Sequence, residues 1–211
     1  MRKISFVIAT SLVLSGALGV EAAEGWAKSK AAAAAGRLEP GPVPTAPVVL
    51  VPNQGADACP GTAFGTLPFN DSGTTVGLTN DMNTTSGAGA NCTQWGGQVA
   101  GPDVIYTFTP GAGASMTFTV TPGNAVYDSA IYLLTTCGTG STCVQKMDST
   151  LSGQAEVLGP VSLTQGTPYF FYIDSFYAAG GGACGAGCEA GPYSVAVTGT
   201  LPADLIQFSV N

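Results

Sequence analysis

The chain has 211 residues, with 6 lysines and arginines against 13 carboxylates, no histidine and a formal charge of −7. Charged residues make up only 9% of it, where about 25% is usual in soluble domains. The acidic balance excludes a nucleic-acid partner, because such a protein repels a phosphate backbone. The missing histidine removes Ser-His and Cys-His nucleophile pairs.

Arg2 and Lys3 precede an apolar run from Ile4 to Val20, and small residues at Val20 and Ala22 suit cleavage after Ala22. A basic start, a short apolar core and a small-residue cut site predict a signal peptide over residues 1–22. The run is shorter than the ~20 residues a spanning helix needs, and no second such stretch follows, so the mature chain is expected to carry no transmembrane segment. The expected location is outside the cytoplasm, in the periplasm or in the medium.

Residues 23–56 differ in character. Ala31 to Ala35 form an alanine run, and Pro40, Pro42, Pro44, Pro47 and Pro52 favour extended chain. This segment is expected to be a flexible tether. Residues 57–211 are expected to form the one folded domain, in which Lys146 is the only basic residue against ten carboxylates.

There the pattern turns to period two. Met116, Phe118 and Val120 alternate with Ser115, Thr117, Thr119 and Thr121, which predicts a half-buried strand. The segments 104–108, 129–135, 169–174 and 193–198 behave likewise, with Ile131, Leu133, Phe171, Ile173, Val195 and Val197 as inward candidates. Weaker strands are expected near 62–69, 74–78, 143–147, 156–163 and 204–210. Pro110-Gly111, Pro122-Gly123 and Gly159-Pro160 mark turns between them. Eight or nine short strands at this spacing predict an all-β antiparallel sandwich.

Cys59, Cys92, Cys137, Cys143, Cys184 and Cys188 all follow the signal, and an even count in an exported chain predicts disulfides. Six cysteines allow 15 pairings. Proximity along the chain suggests Cys137–Cys143, Cys184–Cys188 and Cys59–Cys92. A zinc site is disfavoured by the lack of histidine.

Several segments in order carry a resemblance: Gly73-Thr74-Thr75-Val76-Gly77, Asn80-Asp81, Cys92, the run Gly101-Pro102-Asp103-Val104-Ile105-Tyr106-Thr107-Phe108, the run Tyr127-Asp128-Ser129-Ala130-Ile131-Tyr132-Leu133, Cys137 with Cys143, Tyr169-Phe170-Phe171-Tyr172-Ile173-Asp174, and Gly191-Pro192-Tyr193-Ser194-Val195. Together they resemble the bacterial pre-peptidase C-terminal domain over about residues 59–198. The resemblance implies a jelly-roll β-sandwich serving as a non-catalytic binding module, in a family where some members carry calcium. Members often place an acidic pair directly after the second cysteine of the short loop. Here Cys143 is followed by Val144, Gln145 and Lys146, with Asp148 further along.

Asp81, Asp128 and Asp148 are the candidates for gathering calcium through oxygen ligands; no other cofactor is expected. Asp103, Asp128 and Asp174 lie at strand ends and are the candidates for a carboxylate pair of the glycosidase kind, although turn hydrogen bonding is the commoner role of such residues. Trp95, Phe176 and Tyr177 fall in or beside loops and are the candidate ligand-binding aromatics. The leading expectation is a secreted, non-enzymatic module that binds an extracellular polysaccharide, a matrix protein or a partner protein. The alternatives are a self-associating structural subunit of an envelope or fibre, suggested by the scarcity of lysine to keep sheet edges from pairing, and a small hydrolase using paired Asp.

Overall fold

A computed structural model describes residues 54–178, 180 and 187–200. The expected signal peptide, most of the tether and the expected strand at 204–210 lie outside the described residues. Among the described residues nine strands form: β1 (Thr62–Ala63), β2 (Phe69–Thr74), β3 (Val104–Phe108), β4 (Ser115–Pro122), β5 (Ser129–Leu134), β6 (Cys143–Met147), β7 (Glu156–Ser162), β8 (Tyr169–Ser175) and β9 (Pro192–Thr200). They build a five-stranded sheet in the order β1-β3-β8-β5-β6 and a four-stranded sheet in the order β2-β9-β4-β7. The pairings nest: β2 with β9, β3 with β8, β4 with β7, β5 with β6. One long antiparallel ribbon rolled around a core is a jelly roll, and the fold is therefore the sandwich that the alternation predicts. The two-residue β1 departs from the antiparallel rule by pairing parallel to β3.

The inner faces of the two sheets meet in the main core. Met116, Phe118 and Val120 of β4 and Val195 and Val197 of β9 face Ile131, Leu133, Phe171 and Ile173 of the other sheet. Phe118 stacks on Phe171 with centroids 4.5 Å apart. The expected strand 62–69 is two elements, because Leu67-Pro68 interrupts the ladder before β2. The expected strand 74–78 instead leaves the sheet. The fold also begins earlier than residue 57: Ala56 bridges Ile105, and the Gly55 amide donates to the Tyr106 hydroxyl at 3.0 Å.

The four-stranded sheet is buried on one face only, and β4 alternates accordingly. The five-stranded sheet is not. Every residue of β5 is buried, and so is nearly all of β8. The cause is the long β2–β3 connection, residues 75–103, which folds back over the outer face of that sheet as a flap. Met82, Cys92 and Val99 from the flap close a second core against Ile105, Ala130, Tyr132, Leu134 and Tyr172. Burying side chains of this size contributes about 1.5–3 kcal/mol each.

Backbone contacts seat the flap. Ala90 bridges Gln145 in parallel, and Ala90 accepts the Lys146 amide at 2.9 Å, so the flap covers the β6 edge. Gly89 lets it approach: a Cβ there would collide with the Val144 carbonyl. A disulfide joins Cys92 on the flap to Cys143 on β6, and a second joins Cys59 to Cys137. The pairing suggested by chain proximity is thus corrected. Cys143 belongs to the second core beneath the flap, while Cys137 lies in the β5–β6 turn, within reach of the N-terminal Cys59. Cys188 is also disulfide-bonded; the expected pairing with Cys184 falls outside the described residues.

Candidate functional site

The register brings the acidic residues together. Asp103 lies one step beyond the Val104–Ile173 pair and so stands beside Asp174, which pairs in turn with Ala130 of β5. One step beyond the Ile131–Met147 pair, Ala130 faces Asp148. A row Asp103–Asp174–Ala130–Asp148 therefore crosses four strands on the outer face of the five-stranded sheet, under the flap. All three carboxylates are fully buried.

Asp103 and Asp174 tie the flap down. Asp103 Oδ2 accepts the amides of Asp81 and Met82 at 2.9 and 3.1 Å. Asp174 Oδ1 accepts the Gly101 amide at 3.2 Å and the Ser175 amide at 2.6 Å. The Tyr132 hydroxyl donates to Asp174 Oδ2 at 2.8 Å, and the Tyr127 hydroxyl donates to the Asp174 carbonyl at 2.8 Å. Asp103 Oδ1 is buried and has no hydrogen-bond partner. Burial pushes the Asp103 carboxyl up to about 7. Burial, and then the charge of Asp103, hold Asp174 well above the usual carboxylate range. Two adjacent carboxyls in a dry site cannot both ionise cheaply, so the pair keeps protons that exposed carboxyls release.

The remaining polar groups are also sealed in. Lys146 is fully buried, and its Nζ donates to the Gln98 carbonyl of the flap at 2.6 Å. Asp128 is buried at the sandwich end, where its amide donates to the Cys188 carbonyl and its own carbonyl accepts the Phe176 amide. Glu156 accepts the amides of Ser149 and Thr150 and both of their hydroxyls, which fixes the β6–β7 turn. Glu156→Gln puts an NH2 group among those donors. It should lower unfolding stability by roughly 2 kcal/mol in chemical denaturation, the scale of a hydrogen bond to a charged acceptor; an unchanged midpoint would show that the turn does not depend on the charge.

Of the calcium candidates, Asp81 is exposed while Asp128 and Asp148 are buried. Among the described residues no three metal-ligating side chains gather, so these three are not brought together. Of the carboxylate-pair candidates, Asp103 and Asp174 stand side by side in the register, while Asp128 lies just before β5, where its backbone bonds to Cys188 and Phe176. Phe176 and Tyr177 pack edge to face at 5.0 Å and close a small cluster with Cys188. Tyr177 is buried and Phe176 is half-buried. Trp95 lies in the short 3-10 turn Gln94–Gly97 of the flap.

Alternation and turn chemistry did not reveal the flap. The available signal was the near-continuous apolar character of Tyr169–Ile173 and Ala130–Leu134, which marks strands covered on both faces.

No protein-family model matches the sequence, and no curated protein matches it. Among solved structures the chain is similar to PliG, a periplasmic lysozyme inhibitor of g-type lysozyme from Aeromonas hydrophila, at 13% identity and a TM-score of 0.37, over 66% of this chain and 95% of that one. A likeness of that degree does not extend to function. Among the described residues no helix is long and apolar enough to cross a membrane.

Proposed function

We propose that this chain is an exported, non-catalytic binding module of the pre-peptidase C-terminal domain kind, with an extracellular polymer as its partner. One observation carries the reading: the acidic residues best placed for chemistry, Asp103 and Asp174, are fully buried and spend their oxygens on flap amides and a tyrosine hydroxyl. A general acid or nucleophile must reach its substrate; these two hold a flap in place. The jelly-roll topology supports the family reading, and the disulfides support an oxidising compartment.

The subunit alternative loses its motive at three of the four sheet edges. Scarce lysine matters less where the edges are blunted by other means. The flap covers β6, β1 is two residues long, and β7 carries Pro160 beside a register shift.

The test is depletion of the exported chain from solution by insoluble cellulose, chitin, a β-1,3-glucan and fibrous collagen, with soluble products assayed in parallel. Depletion without product is the expected result. Failure to adsorb to any of them, or a turnover lost in a folded Asp174→Asn variant, overturns the proposal.

A further inference from the structure

The buried network leaves one broad surface unexplained, the outer face of the four-stranded sheet. Alternation turns Thr117, Thr119 and Thr121 of β4 outward. The register sets Thr117 beside Thr198, Thr119 beside Ala196 and Thr121 beside Ser194 of β9, with Ser72 of β2 next to Ser194. On a chain of net charge −7, the described part of this face carries no charge. Asp71 of β2 turns the other way to accept the Tyr106 hydroxyl, and Glu156 of β7 points inward. No aromatic ring stands on it, and its one large exposed apolar side chain is Val157, 46% exposed and opposite Thr119.

Strands about 4.8 Å apart and outward residues about 6.8 Å apart make this a patch of about 14 by 20 Å. Its area, about 300 Å², is far below the ~800 Å² each partner contributes to a stable protein complex, so a second copy of the chain is a poor occupant. The side chains are short, so holding them still costs little rotamer entropy. Each hydroxyl both donates and accepts, and each threonine adds a methyl group. A neutral sugar chain offers the same pairing of hydroxyls with apolar C–H faces, and neither side has a charge to strip of water. An acidic polymer meets repulsion from the net charge, and a basic one finds no carboxylate here.

We infer that this hydroxyl face is the module's binding surface and that its partner is a neutral polysaccharide, an inference that rests on the binding-module reading above. The experiment measures adsorption isotherms of the exported chain and its variants on cellulose, chitin and a β-1,3-glucan, with alginate and collagen alongside. Thr198→Lys, Thr198→Glu and Ser194→Lys should each weaken adsorption to the neutral polymer at least tenfold, whatever the sign of the new charge. Ser86→Lys, on the flap over the other sheet, should leave it unchanged. Thermal midpoints matching the parent's exclude misfolding, and Val157→Ala gives a milder variant with no new charge. Adsorption to neutral polymers that ignores the face variants overturns the inference and leaves the binding-module reading standing. Adsorption only to alginate or collagen overturns it in the same way. No adsorption to any polymer overturns both.

Discussion

The thermal unfolding midpoint should be higher at pH 4 than at pH 8, by on the order of 5 °C. The sign follows from Asp103 and Asp174, whose carboxyls are raised in the folded protein, Asp103 to about 7 and Asp174 well above the usual carboxylate range, chiefly by burial. A group that holds its proton more tightly when folded stabilises the fold fully below its unfolded value, near 4, and that contribution fades as pH rises through the folded value. The loss should therefore begin above about pH 4 and run up to the Asp103 titration near 7. Asp103→Asn, a neutral isostere, should flatten the profile between about pH 4 and pH 7. Above that pH a charge beside Asp174 should loosen the flap, so the Met82 and Gly101 amides, which these carboxyls accept, should exchange faster with solvent. A midpoint that rises steadily from pH 4 to pH 8 would contradict the buried pair.

Replacing both Cys92 and Cys143 by alanine should cost up to about 4 kcal/mol, the chain-entropy figure for a loop closed across that span, and lower the midpoint by about 10 °C. The two cysteines are 51 residues apart, further than the short clips that chain proximity suggests, so the stake is larger. The damage should be uneven. Exchange protection at Thr85 and Val99 in the flap should fall more than at Phe118 and Phe171, which belong to the main core. Peptide mapping under non-reducing conditions should recover Cys92 with Cys143 and Cys59 with Cys137. Recovery of Cys137 with Cys143 would refute the arrangement.

The sandwich was legible because its signals are local. Alternation in Ser115–Pro122 and Pro-Gly turns report which residues a sheet buries without reference to anything distant. The same rule found Ile131, Leu133, Phe171 and Ile173 as inward residues, and each lies in the main core. It had no means of showing that Tyr132 and Tyr172 on the opposite face stack on each other at 4.9 Å beneath a flap. That burial depends on residues 75–103 folding back, a tertiary event with no period of its own. The disulfides failed for the same reason. Which cysteine meets which depends on where a strand points each Cβ, and Cys143 lies under the flap while Cys137 lies in a turn. The candidate acids Asp103, Asp128 and Asp174 lie at or beside strand ends. Their juxtaposition came from strand register, which joins Asp103 to Asp174 across 70 residues of intervening chain.

The nested pairing has a consequence for how the protein is made. Phe69 lies against Val197, and β4 is flanked by β9 and β7. The first long strand therefore has no partner until nearly the whole domain has left the ribosome. Contacts this distant in sequence close slowly. A nascent chain of this topology keeps its first long strand unpaired during synthesis until β9 has been made.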